Sequence, residues 1–435
     1  MAVLSFTQTR QLVLVGSIAV LIVVFVGLHA ASLDLPANIP INSSNSVTAV
    51  PGLHHGLPPN ASLKEHALQK ALDDASPIFG EYTNVQDDYS RWMSKWPDNT
   101  PVSQMNIPGT HDSATWNYSL ATQQFLNQVT ELVQPTEHPP EEYRCQSIPI
   151  IGALNKGIRS FDMRYAFDVT NSTIVFWHGR GLQSQTATLP DVLFGFYRWL
   201  RDHPSEALFL SFKYEGGTTP YATQDERLQQ QLFEAFANPV AMHYINQAKD
   251  KLGALGDTRG KITLLRRFDL DLLPPAYTAA LPGLHFSPNN WTVNGANIKI
   301  IYDQSISGTA YIEDYYHPRT PSKDKPAATT ADYITMKVDA TVAHLKRAAK
   351  SEEKGAFFWT FASSTKMDAD PPSSPKIQAL GDGAKITPDG GVNQQLMPVL
   401  KEMKGQRLGL VMFDFFEQPS ELLPTFLDLL QPPGE

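Results

Sequence analysis

The sequence predicts an α/β protein built on a mainly parallel sheet, either wound as a barrel or left open. Two features carry this. Seven short stretches rich in apolar, β-branched and aromatic residues (158–165, 173–177, 207–212, 262–266, 298–302, 356–361 and 408–413) read as strands. Between them lie stretches with apolar residues at helical spacing. In 191–202 these are Val192, Leu193, Phe196 and Leu200, and Pro204 stops the run. The stretches 225–237, 333–350, 394–404 and 420–430 follow the same pattern. Upstream, 62–74 forms a short helix, with Ser62 as N-cap and Glu65 completing a capping box. The segment 366–391, rich in Pro, Gly and Asp, reads as a loop.

The chain has 435 residues, of which 42% are hydrophobic and 18% charged, so it can bury a large core and wholesale disorder is excluded. Lys and Arg number 35 against 44 Asp and Glu, a net charge of −9 with no basic tract. That argues against nucleic acid as partner and against bulk attraction to anionic membranes. Cys145 is the only cysteine, which excludes an internal disulfide and a Cys-rich zinc site. Its surroundings, RCQSIP, show no paired His, so it reads as structural or incidental.

Residues 1–10 read as a cytoplasmic N-terminus. Residues 11–31 are almost wholly apolar, with no Asp, Glu, Lys or Arg, and are long enough for a membrane span. They read as a signal anchor or a cleaved signal peptide, and either places the rest of the chain in a secretory lumen or outside the cell. Sequons at Asn42, Asn60, Asn117, Asn171 and Asn290 agree with export. Residues 32–85 read as a low-order tether and lead-in, with His54 and His55 a solvated pair, and 86–435 as the catalytic domain.

In parallel α/β folds the site sits at the C-terminal ends of the strands. Five constellations fall there. The run 106–113 (NIPGTHDS) sets His111 beside Asp112 after a Pro-Gly turn. In 157–164 (GIRSFDMR), alternation puts Ser160, Asp162 and Arg164 on one face. His178 closes FWHG, Lys213 and Glu215 close FLSFKYE, and Asp414 closes VMFD. Each has a bland reading alone: a surface turn, a structural ion pair, a core His, a solvated pair, a cap. Together they offer one His as base, another as acid, and a cation for a phosphodiester's developing charge. An Asp bonded to a His fixes its tautomer.

The ordered motifs IPGTHDS, GIRSFDMR, WHG, FLSFK and GKITLLRRFD, spread over about residues 106–417, closely resemble the phosphatidylinositol-specific phospholipase C X-domain of the bacterial, metal-independent type. The resemblance implies a single distorted TIM-type (β/α) barrel. It implies that His111 is the general base, oriented by Asp414, and that His178 is the general acid, helped by Asp112. Arg164 is then the phosphate-binding cation, with Asp162 its neighbour. Lys213 contacts inositol or phosphate. In YIEDYYH, Asp314 binds inositol hydroxyls and Tyr316 stacks on the ring. Arg267 is a further contact, with Arg266 its rival, as Asp303 is a rival of Asp314. The expected substrate is an inositol phospholipid or a glycosylated form of it at a membrane surface, cleaved to diacylglycerol and a cyclic inositol phosphate, with no cofactor. The alternatives are a phosphodiesterase on another headgroup or a catalytically silent lipid- or glycan-binding barrel. Arg164 stands where calcium-dependent relatives carry acidic ligands, so no metal is required. The departures are the long segment 123–149 and enlarged loops at 283–308 and 366–391, which narrow the mouth and put the headgroup in question. Phe413, Phe415 and Phe416 read as core rather than lipid contacts.

Overall fold

The computed structural model describes residues 61–130, 139–305, 308–319, 328–353, 355–383 and 385–432. The apolar stretch 11–31, the tether to residue 60, and the sequons at Asn42 and Asn60 lie outside the described residues. Among the described residues, no helix is long and apolar enough to cross a membrane.

The strands are β1 (Ile107–Thr110), β2 (Ser160–Phe167), β3 (Ile174–His178), β4 (Gly181–Leu182), β5 (Leu208–Tyr214), β6 (Ile262–Arg267), β7 (Leu284–His285), β8 (Ile298–Asp303), β9 (Gly308–Glu313), β10 (Phe357–Phe361) and β11 (Leu410–Phe413). Their order is β7-β6-β5-β2-β1-β11-β10-β9-β8. Every pairing from β7 through to β9 is parallel. This is the strand complement of an eight-stranded α/β barrel (β1, β2, β5, β6, β7, β9, β10, β11). The ring is nearly closed. At its seam β8 runs antiparallel to β9, and among the described residues no ladder joins it to β7. The stretch 298–302, read as one more strand of a mainly parallel sheet, is thus the outer arm of a hairpin. A second hairpin, β3–β4, hangs from β2 outside the ring.

Alternation along each strand separates two cores. Ile107, Phe209, Leu265, Ile312, Trp359 and Met412 fill the interior of the ring. Phe161, Leu210, Leu264, Val411 and Phe413 face outward and meet the helices, among them Leu189–Asp202, Glu226–Ala237 and Val392–Glu402. Phe413, Phe415 and Phe416 are all buried.

Three expectations need correction. The motif around Pro108-Gly109 is not a turn but β1, inserted between β2 and β11. Gly109 is what fits there, since a Cβ would lie 2.4 Å from Met412 Sδ. The lead-in is not low-order throughout. The helix Leu63–Phe79, with the Ser62–Glu65 capping box, buries Ala75, Ile78 and Phe79 against the barrel's outer core, so the compact unit begins well before residue 86. The segment 366–391 contains a helix, Pro375–Leu380.

The N-terminal end of β2 is anchored by Arg159, fully buried, whose Nη2 lies 2.7 Å from Glu206 Oε2 and 2.8 Å from the Ser90 carbonyl. Removing one partner of a buried pair strands the other. Arg159→Met is therefore expected to cost about 3–5 kcal/mol, read as a lowered urea midpoint at unchanged m-value. An unchanged midpoint would show that the pair is dispensable.

Candidate active site

The inward-facing positions that end the barrel strands converge on one pocket. Across the register, Arg164 of β2, Lys213 of β5 and Arg267 of β6 stand in one row, and Asp162 and Ser211 lie a layer below. His111 follows β1, Asp314 follows β9 and Asp414 follows β11. The pocket holds about 330 Å³ of open space. His111, Arg164, His178, Lys213, Arg267, Asp314, Tyr316 and Asp414 all line it. Asp112 and Asp162 lie beneath that layer, fully buried.

His111 Nδ1 lies 2.9 Å from Asp414 Oδ1, and its Nε2 lies 2.6 Å from Arg164 Nη2. Burial, and next the Arg164 charge, lower the His111 pKa well below its ordinary 6.5. The imidazole therefore stays neutral. Arg164 can only donate, so Nε2 accepts from it and the ring proton sits on Nδ1, donated to Asp414, whose own carboxyl burial pushes well above its ordinary value. His178 stands across the floor, its ring centroid 6.4 Å from that of His111. Its Nδ1 donates to the Tyr143 carbonyl at 3.1 Å and lies 3.3 Å from Asp112 Oδ2. Burial raises Asp112 to about 6, against the pull of His178 and Arg164.

Arg164 is the hub. Its Nε reaches Asp162 Oδ2 at 3.2 Å and Asp112 Oδ2 at 3.4 Å, and its Nη1 lies 3.9 Å from Glu215 Oε2. Burial alone would raise Asp162, but Arg164 and Arg267 hold it below the usual carboxylate range. Glu215 accepts from Gly179 N at 3.0 Å and from Lys213 Nζ at 3.3 Å. Arg267 lies 3.5 Å from Asp314 Oδ2 and stacks 3.7 Å over the Trp291 ring.

The rivals fall elsewhere. Arg266 points outward to Asp250, 4.0 Å away, because it is one residue out of phase with Arg267. Asp303 accepts from Ser305 at the tip of the β8–β9 hairpin. Cys145 is closer to the chemistry than its local sequence suggests, with Sγ 3.9 Å from His178 Nδ1.

Sequence reasoning missed Trp291, Tyr143 and Gln146. Trp291 donates from Nε1 to Asp314 Oδ2 at 2.7 Å. Gln146 Nε2 donates to the carbonyls of His111 (2.7 Å) and Phe413 (2.9 Å), tying the ends of β1 and β11 together. Tyr143 closes a single 3₁₀ turn, Pro140–Tyr143, and the other two sit on loops; all are remote in sequence from what they support, and no local motif marks them. Ligand atoms of His111, Cys145 and Asp414, and of Asp112, Cys145 and His178, approach closely enough to share a metal ion. The Arg164 guanidinium borders both groups.

No protein-family model matches the chain. It is 25% identical over 239 residues to a 1-phosphatidylinositol phosphodiesterase of Listeria monocytogenes, covering 54% of this chain and 66% of that protein. It is 30% identical over 148 residues to a PI-PLC X domain-containing protein of Danio rerio, covering 30% of this chain and 46% of that protein. A 1-phosphatidylinositol phosphodiesterase of Staphylococcus aureus is 24% identical, with 46% of this chain and 57% of that protein covered. The chain thus spans about two thirds or less of these relatives. Among solved structures, a variant of the S. aureus phosphatidylinositol-specific phospholipase C superposes with a TM-score of 0.60 at 18% identity, over 79% of this chain and 97% of that one. The L. monocytogenes enzyme gives 0.52 at 19% identity, over 78% and 97%. In sequence this chain is thus similar to 1-phosphatidylinositol phosphodiesterases, and in fold to phosphatidylinositol-specific phospholipases C.

Proposed function

We propose that this protein is a metal-independent phosphodiesterase of the phospholipase C type, acting on an inositol phospholipid or a glycosylated form of it. The observation that carries the reading is the pair of imidazoles facing each other across the pocket floor, with the Arg164 guanidinium between the base and the buried carboxylates.

The steps follow from which proton each group can move. His111 Nε2 takes the proton of the inositol 2-hydroxyl, and Asp414 stabilises the imidazolium that forms. The oxygen attacks phosphorus within the same molecule, so little orientation entropy remains to be lost. Arg164 faces the charge gathering on the phosphoryl oxygens. His178, held beside Asp112, acts as the acid and gives its proton to the leaving glycerol oxygen. Lys213, Arg267, Asp314 and Tyr316 hold the ring. Products are diacylglycerol and a cyclic inositol phosphate. The apolar stretch 11–31 holds the enzyme at the membrane that carries its substrate, with the barrel on the exported side.

The test is phosphorus NMR of the full chain with phosphatidylinositol in mixed micelles and excess chelator. A cyclic phosphate signal is expected. A signal seen only after calcium is restored would overturn the metal-independent mechanism. Silence in both conditions would move the search to other headgroups.

The pH profile is a second check. Because the His111 pKa is lowered, the base stays unprotonated to lower pH than a free imidazole. The acid limb of kcat/KM is therefore expected below pH 6.5, the ordinary imidazole value. An acid limb above that pH would show that His111 is not the titrating base.

A further inference from the structure

We propose that Cys145, Asp112 and the Nδ1 side of His178 form a binding site for a thiophilic divalent cation such as zinc, and that occupancy inhibits the enzyme. The inhibition rests on the function proposed above, whereas the binding does not.

The geometry is close to what such an ion needs. Cys145 Sγ is 3.9 Å from His178 Nδ1, which is 3.3 Å from Asp112 Oδ2, and the ligand atoms of all three residues lie within 4.8 Å of one another. In tetrahedral zinc sites with metal–sulfur bonds of about 2.3 Å and metal–nitrogen or metal–oxygen bonds of about 2.0–2.1 Å, the sulfur–nitrogen and nitrogen–oxygen edges are about 3.6 Å and 3.4 Å. A second observation points the same way. Neither carboxylate oxygen of Asp112, a fully buried residue, has a hydrogen-bond partner among the described residues. The same holds for Oδ2 of Asp414, which with His111 and Cys145 makes the neighbouring group. The cysteine itself is held in place. Its N–H donates to Thr115 Oγ1 at 2.9 Å, and its carbonyl accepts from Phe415 N at 3.0 Å.

Arg164, with Nε 3.4 Å from Asp112 Oδ2, opposes any cation here. That repulsion selects against calcium and magnesium, which gain little from sulfur, and leaves ions that bind thiolate strongly. Binding releases the thiol proton to solvent. The Nδ1 proton of His178 also leaves to solvent, so the imidazole binds the ion as a neutral ligand with its remaining proton on Nε2. Once Nδ1 is a ligand, His178 can no longer become the imidazolium that protonates the leaving group.

The test titrates the full chain with cobalt(II), then with zinc. The wild type is expected to show a near-ultraviolet thiolate-to-cobalt band that zinc bleaches, and loss of phosphatidylinositol cleavage that chelator restores. Cys145→Ser is expected to keep the uninhibited rate and lose the band. The zinc needed for half-inhibition should rise about tenfold or more, the scale on which weakened metal sites change. Cys145→Ala serves if the serine variant does not fold. Absence of the band in the wild type, or its persistence in both variants, would overturn the site whatever the cleavage assay gives. A band present without inhibition would overturn the inhibitory role alone.

Discussion

Replacing His111 with alanine is expected to lower kcat by about 10²–10⁴-fold, the usual contribution of a positioned general base. The fold should survive. His111 follows β1 at the pocket floor, and β1 itself is held by ladders to β2 and β11 that do not involve the imidazole. The change opens space between the Arg164 guanidinium and Asp414. Added imidazole that fits this space should recover part of the rate. Circular dichroism and the unfolding transition would show that the chain still folds. Wild-type-like turnover in a folded His111→Ala variant would end the proposed mechanism, because that mechanism gives the proton abstraction to His111, which is bonded to both the Asp414 carboxylate and the Arg164 guanidinium.

Arg164→Met is expected to be comparably severe for a different reason. A charged donor aimed at a developing oxyanion is worth about 10²–10³-fold in kcat. The change should also move the acid limb. After burial, Arg164 is the largest cause of the lowered His111 pKa. With the guanidinium gone, that pKa rises, so the limb of kcat/KM shifts to higher pH. Arg164→Lys keeps the charge but loses the fork that reaches Asp112, Asp162 and His111 at once. It should restore the position of the limb more fully than it restores the rate. A limb that stays fixed in the methionine variant would mean that burial alone sets the base.

Much of the site was legible because it is built on strand ends. Asp162 and Arg164 share a face by simple alternation, and His178 and Asp414 close apolar runs, so each could be placed before any fold was known. The ambiguities have equally local causes. Arg266 and Arg267 are adjacent, and only the true phase of β6 tells which points inward. Asp303 and Asp314 both follow strands, and the hairpin direction of β8 removes the first. β1 was hidden because Pro-Gly normally breaks strands. Here the glycine is needed for close approach to Met412, and Pro108 still accepts through its carbonyl from Arg159 N. What could not be read was support from afar. Gln146 and Tyr143 come from the segment 139–149, and Trp291 comes from the loop before β8. Their partners are defined only once the chain has folded.

The two imidazoles ride on different parts of the fold. His111 stands on the barrel, where strand tilt and stagger fix its place. His178 ends β3, on a ribbon outside the ring. The turn after it is seated by the ring of Tyr143, which lies where a side chain at Gly181 would have to go. Reshaping that ribbon or its tyrosine seat would resite the proton donor and leave the phosphate cradle untouched. Descendants of this scaffold could therefore change what is expelled from phosphorus without relearning how to attack it.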